Sequence, residues 1–598
     1  MNNTATQKLS NSLNKKVIYH VFTRLFGNSE NENIAWGTKE RNGVGKFADF
    51  TEIALKEIKA LGVTHVWFTG VLHHALIGDY SDIGIRDDHP SIVKGRAGSP
   101  YAIKDYYQVN PDLANDIEKR MDEFEALIER THHVGLKVII DIVPNHVARQ
   151  YHGLNNPDSV LDFGENDNTD LEYHRDNNFY YIANEPFQRP DGQIPLGGEA
   201  HSSLTPPFVE YPAKWTGNGS RSAKPNCDDW YETVKINYGI RPDGSKDFPI
   251  LPTEFADKCY QEHNEFWQKQ SVPDSWKKFR DIALFWIDKG VDGFRYDVAE
   301  LVPVEFWSFL NSTIKSKKPD AFLLAEVYQP RLYREFIHLG KMDYLYDKVD
   351  LYDTLKAIIQ KKKSVQSIVQ IQKTLADIEH HMLHFLENHD EQRIASPEFA
   401  GNADLARPAM LISATIGSSP TMIYFGQEVG EPGAEYGGFG QPSRTSIFDY
   451  IGVPHHQRWF NNGAFNGDLL SSTEKELRGF YRSVLNYSLN SPALLGNYID
   501  LYSPLSDQMG PMKDLIFLFA RQKDEHTVIV AVNFSADLHC KQTLVVPTLL
   551  IQQLSLTNGL HIFKEKVEHQ RTIEIKVAEG IGKMELQLPP LAAYAFEI

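Results

Sequence analysis

The stretch GFRYDVAE, residues 293 to 300, follows the amphipathic run FRDIALFWIDKGV and reads as a buried strand. Side chains along a strand alternate between faces, so Arg295 and Asp297 share one face while Phe294 and Tyr296 share the other. Taking ions out of water costs several kcal/mol even when they are paired. A core strand has no need of such a pair. A strand that ends at an open site does, and that reading selects an α/β architecture in which strands point polar groups at one end.

Working outward, further apolar, β-branched runs recur. They are KVIYHVFTR (16–24), VTHVWFTG (63–70), LKVIIDIVPNH (136–146), VDGFRYDVA (291–299), AFLLAEV (321–327), HMLHFLENHD (381–390), PTMIYFGQE (420–428) and the weaker MDYLYDKV (342–349). Helical patterns separate several of them. In FADFTEIALKEIKALG (47–62), Leu55, Ile58 and Leu61 recur at helical spacing, and MDEFEALIERTHHVGL (121–136) has Gly135 placed to end a helix. Eight strands alternating with helices predict a (β/α)8 TIM barrel, with a doubly wound open sheet as the structural alternative.

Two regions break the rhythm. Residues 147–265 are rich in Asn, Asp, Gly, Pro and Tyr and are too long for an ordinary βα loop, so they read as an insertion after the third strand. After FYRSVLNYSLNSPALLG (480–496) the runs DLIFLFARQ, HTVIVAVNFS and LPPLAAYAFEI predict a C-terminal all-β sandwich. The expected division is a polar N-terminal tail (1–15), a barrel (16–146 and 266–496), the insertion (147–265) and the β domain (497–598).

The chain has 598 residues and a net charge of -18, which disfavours nucleic-acid and anionic-membrane partners. Its three cysteines, Cys227, Cys259 and Cys540, form no CxxC pair. No apolar run approaches the length of a membrane span, and the polar start lacks a signal-peptide core. A cytoplasmic location is expected, or a secreted one if a signal has been lost. Nothing in the sequence sets an oligomeric state.

The third strand ends in Asp141, Asn145 and His146, the fourth in Arg295 and Asp297, the fifth in Glu326 and the seventh in His389 and Asp390. One acid at a strand end reads more simply as a helix cap or turn residue. Repetition at one barrel end shifts the balance, because perturbed acids gathered in a cleft mark function more often than structure. Paired carboxylates suit glycosidic bond cleavage, one attacking as an anion and the other serving as an acid. Arg295 favours an ionised Asp297, the better nucleophile. Glu326, between Ala325 and Val327, has the apolar neighbours that suit the acid.

The motifs DIVPNH (141–146), GFRYDVAE (293–300), AEV (325–327) and ENHD (387–390) occur in the order and spacing of a known family. SPYAIKDYYQVNPDL (99–113), TVKIN (233–237) and, in part, SRTSIFDY (443–450) extend the match. Over roughly residues 16 to 598 the chain resembles the α-amylase family of retaining α-glucan glycoside hydrolases. The resemblance implies Asp297 as nucleophile, Glu326 as acid/base and Asp390 as the third carboxylate. It implies sugar contacts from Tyr101, His146, Arg295, His389 and Arg393, with Asp141 bracing Arg295. It implies hydrolysis of α-1,4 bonds in starch or maltodextrins, with a transglycosylase or isomerase of the same family as the alternative. A non-catalytic glycan-binding protein on the same fold is disfavoured by the intact acids. No organic cofactor is implied. Calcium at Asn145 is implied only in part, because Leu301 stands where many relatives have His, and Glu300, where they have Lys, leaves a leaving-side sugar contact unsupported. Ser99-Pro100 stands before Tyr101 where His-Gly is common.

Overall fold

The computed structural model describes residues 15–568 and 571–598. The expected tail, Lys15 apart, lies outside the described residues. Eight parallel strands close into a barrel: β1 Val17–Phe22, β2 His65–Thr69, β3 Lys137–Ile142, β4 Gly293–Tyr296, β5 Phe322–Ala325, β6 Tyr344–Tyr346, β7 Met382–Phe385 and β8 Thr421–Tyr424. Each pairs with its chain neighbour, and β1 pairs with β8 to complete the ring. Strands covered by helices outside and packed side chains inside are buried on both faces, which explains their continuous apolar reading. The weak run at 342–349 supplies only the three residues of β6.

Helices cover the barrel, among them α1 Glu52–Ala60, α2 Arg120–His133, α3 Asp274–Asp288, α4 Val304–Lys317 and α5 Ser472–Asn490. Their ends follow local chemistry. The Thr51 hydroxyl accepts the Ala54 N–H at 3.2 Å to start α1, and Ser471 and Glu474 form a capping box at α5. Beyond α2, Gly135 takes φ +79°, which stops the helix. Leu55 and Ile58 of α1 are fully buried, as their spacing required.

Between β3 and β4 the chain makes short ribbons. His146–Ala148 pairs antiparallel with Thr233–Lys235, with His146 opposite Lys235. Hydrogen bonds from Tyr238 Oη to Pro144 O (2.7 Å) and from Ser275 Oγ to Asn237 O (2.6 Å) tie this region to β3 and α3.

The C-terminal eight-stranded sheet is antiparallel: β9 Asn497–Asp500, β10 Ile516–Lys523, β11 His526–Asn533, β12 Cys540–Val546, β13 Gly559–Glu565, β14 Thr572–Ala578, β15 Ile581–Leu588 and β16 Ala593–Glu597. The strand order is β9-β10-β11-β16-β13-β14-β15-β12. Alternation on β10 explains its solid apolar run. Phe517 and Phe519 join the barrel's core, while Ile516, Leu518 and Ala520 face a second core enclosed by the sheet. Fully burying such a side chain contributes roughly 1.5–3 kcal/mol, so this strand welds the two units together. Cys227 and Cys259 are exposed and Cys540 is buried, all as free thiols.

Candidate active site

Register places the site residues. Asp141 on β3 lies directly beside Arg295 on β4, and Tyr296 pairs with Ala325 on β5. One residue further along, Asp297 and Glu326 therefore emerge as neighbours at the C-terminal end of the barrel, where βα loops build sites. The Arg295 side chain has no exposed surface. Its Nη1 donates to Asp297 Oδ1 at 2.7 Å and lies 3.4 Å from Asp141 Oδ1, and its Nη2 donates to Glu326 Oε2 at 2.6 Å. Phe294 and Tyr296 point outward, where the Tyr296 hydroxyl donates to Asn311 of α4 at 2.8 Å.

An aromatic layer supports this fork. Trp67 Nε1 donates to Asp141 Oδ2 at 2.9 Å, and His20 stacks on the Trp67 ring with centroids 3.7 Å apart. The guanidinium lies over the rings of Trp67, Tyr101 and Tyr346 at 5.4, 5.3 and 5.7 Å. Tyr101 Oη and His389 Nε2 are 2.7 Å apart, and His389 Nε2 also lies 3.0 Å from Asp390 Oδ2. His146 Nε2 is 4.0 Å from Asp297 Oδ2. Tyr101, His146, Arg295, Asp297, Glu326, His389 and Asp390 thus form one cluster. Beside it opens a cavity of about 520 Å³, lined by His389, Asp390, Gln392, Glu398 and Phe439–Phe448.

The electrostatics correct one expectation. Arg295 does not keep Asp297 ionised by itself. Burial pushes the Asp297 carboxyl well above its ordinary range against the pull of Arg295, and Glu326 and Asp390 push the same way. One guanidinium thus faces three carboxylates, those of Asp141, Asp297 and Glu326. Asp390 is the opposite case. Burial opposes its charge, but His389 and Arg295 hold its carboxyl down to about 2. Its side chain is 42% exposed against 10% for Asp297, so water also reaches the acid that carries the charge. Burial, with the cations Lys235 and Lys94, pushes His146 down to about 3, which keeps its ring neutral.

Two expected roles do not fit the geometry. Asn145 was the candidate calcium ligand, yet the Lys235 ammonium donates to its Oδ1 and also lies 3.3 Å from Leu301 O. A calcium ion needs such oxygens as its own ligands, and a lysine cation already occupies them. Among the described residues no group of three or more His, Cys, Asp or Glu is disposed to hold a metal. Arg393 was the candidate sugar contact, but it has no exposed surface. Its Nη1 donates to Glu387 Oε2 (2.9 Å) and Phe425 O (2.8 Å), and its Nε donates to Thr445 Oγ1 (2.9 Å). It braces the turn after β7 against the segment after β8.

Sequence reasoning missed Trp67, Tyr346 and His20 as supports of the site, because aromatic residues within strands read as core. Glu300 stood out only as a departure. Its Oε2 accepts the backbone N–H groups of Tyr328 (2.9 Å) and Gln329 (3.0 Å).

Comparison with known proteins gives the family and the fold. The family described as alpha amylase, catalytic domain, matches residues 20–200 and 258–447, more than half of the chain. Alpha-amylase 3 of Dictyoglomus thermophilum is 22% identical over 70% of this chain and 65% of its own length. Neopullulanase 2 of Thermoactinomyces vulgaris is 22% identical over 70% of this chain and 57% of its own. The chain thus spans less than two thirds of either relative. A maltogenic alpha-amylase from Thermotoga neapolitana superposes with a TM-score of 0.58 at 18% identity, covering 98% of this chain and 99% of that one, which shows a shared fold. Among the described residues no helix is long and apolar enough to cross a membrane.

Proposed function

The chain belongs to the alpha-amylase family, and from that premise we propose that it is a retaining glycoside hydrolase of α-1,4-glucosidic bonds in starch, maltodextrins or related α-glucans. The observation that carries the reading is the Arg295 fork, which holds Asp297 and Glu326 on adjacent strands through its two terminal nitrogens. Those nitrogens diverge by only a few ångströms. One guanidinium therefore anchors both carboxylates at one point, as a retaining mechanism needs when one acid attacks C1 and the other serves the leaving oxygen.

In this reading Glu326 is the general acid. Among the described residues its Oε1 accepts no hydrogen bond, while Oε2 is occupied by Arg295 and by the Val298 N–H at 2.9 Å. Oε1 protonates the glycosidic oxygen as the C1–O bond breaks, and an oxygen of Asp297 bonds to C1. Glu326 then takes a proton from water, which attacks C1 and releases Asp297. Asp390, already ionised, accepts hydrogen bonds from sugar hydroxyls, and neutral His146, together with His389, holds the same ring. Tyr101 offers a flat apolar face to the ring's C–H groups. The segment 147–265 and the loops beside Asp390 set substrate length, and 497–598 serves as a separate β unit.

The name alpha-amylase 3 agrees with an α-glucan substrate. The test is product analysis on starch, maltotriose, pullulan and cyclodextrin, with the first-formed anomer read by NMR. Retention, with an α-configured product, and loss of about 10⁴-fold in rate in Asp297→Asn are expected. Inversion, or an undiminished Asp297→Asn, contradicts the reading. Oligosaccharides longer than maltotriose would identify sugar, rather than water, as the preferred acceptor.

A further inference from the structure

We propose that Glu300 is a positioning residue for the acid/base Glu326, locking the turn after β5 onto the turn after β4; the proposal rests on the functional reading above. After Asp297 the backbone reverses at Val298, with φ 37° and ψ 46°. A β-branched residue rarely adopts this left-handed conformation, and such strain costs of order 1–3 kcal/mol unless the surroundings hold it.

Here the surroundings do hold it. The reversal turns the Val298 N–H onto Glu326 Oε2 at 2.9 Å. It also carries Glu300 over the β5 turn, where its Oε2 accepts the N–H groups of Tyr328 and Gln329 at 2.9 and 3.0 Å. The Glu326 N–H continues the barrel ladder to Tyr296 O at 3.1 Å. Residues 326–329 are therefore gripped at four points by residues 296–300. Hydrogen bonds to an ionised acceptor are roughly twice as strong as neutral ones, so Glu300 is the strong member of the grip.

The lysine found here in many relatives could not replace it. An ammonium has only donors and would meet two backbone donors. The residue that departs from the family pattern thus takes up a task of its own. It fixes the segment that aims Glu326 Oε1, with Oε2 held by Arg295 and Val298.

The test is a leaving-group comparison. Maltotriose needs its leaving oxygen protonated, whereas 2,4-dinitrophenyl α-maltoside does not. Misplacing an acid by about an ångström costs about 10- to 100-fold, so Glu300→Ala is expected to lose that much kcat on maltotriose but less than about threefold on the aryl glycoside. Glu300→Gln, which keeps an acceptor oxygen, is expected to fall between and serves if the alanine variant does not fold. Equal losses on both substrates, no loss on either, or a raised KM for maltotriose with kcat retained would each overturn the proposal. Asp297→Asn is run alongside. If it still releases the aryl group, the functional reading itself fails and the proposal fails with it. If it is inactive while Glu300→Ala loses both substrates equally, only the proposal fails.

Discussion

Replacing Arg295 by leucine removes the one cation, among the described residues, within bonding distance of Asp141, Asp297 and Glu326. Pairwise attraction at about 4 Å with an effective dielectric of about 20 is about 4 kcal/mol per contact, so the gross loss over the three is about 12 kcal/mol, comparable with the whole stability of a domain. The acids respond by binding a proton. Neutralising a carboxyl of ordinary pKa near 4 costs about 1.4 kcal/mol per pH unit above 4, hence about 4 kcal/mol at pH 7 and about 1.4 at pH 5. The sign follows from proton counting. The folded variant binds one more proton than the folded wild type, while the unfolded chains bind alike. The variant's deficit therefore widens as pH rises above 4, by about 2.7 kcal/mol between pH 5 and pH 7. Urea unfolding of both proteins at pH 5, 6, 7 and 8 reads this directly. A deficit independent of pH, or a variant as stable as wild type at pH 7, would refute the shared-cation account.

The Lys235 ammonium fills the place between Asn145 Oδ1 and Leu301 O. EDTA is accordingly expected to leave the Tm and activity of the wild type unchanged; a drop reversed by calcium would contradict this. At the opposite end of the barrel, burial pushes the Lys15 ammonium down to about 7, with Arg521 adding to the effect. The unfolded lysine titrates near 10.5, so between pH 7 and 10 the unfolded chain binds the extra proton and this group adds about 1 kcal/mol of stability per pH unit. Lys15→Met is expected to remove that rise, and identical pH-stability curves for variant and wild type would count against it.

The barrel was readable because each of its strands is buried on both faces and announces itself as a local apolar run. The acids at the strand ends were readable for the same reason, being only a few residues beyond those runs. In the C-terminal unit the same signal selected β10, β11 and β16, which are largely buried on both faces. It passed over β12 to β15, which alternate. From Ile581 to Leu588 every second residue is exposed, and Lys and Glu dilute the apolar pattern. Contacts between distant segments were not readable. Lys235 reaches Asn145 across 90 residues, through the ribbon that sets it opposite His146. The spacing of Arg295 and Asp297 showed a local ion pair, but not that Glu326 on the next strand shares the cation. Trp67 and Tyr346 read as core because an aromatic residue on a strand says nothing of which barrel layer it meets.

The central claim is that Asp297 forms a covalent bond to the sugar while Glu326 acts as acid and base. A slow fluorinated donor such as 5-fluoro-α-glucosyl fluoride, followed by peptide mapping with mass spectrometry, tests it most directly. The account predicts a single glycosyl label on the peptide carrying Asp297, absent in Asp297→Asn and long-lived in Glu326→Gln, where water is not activated. A label on Asp390 or on Glu326 would contradict it, as would steady turnover of the donor with no residue labelled at all.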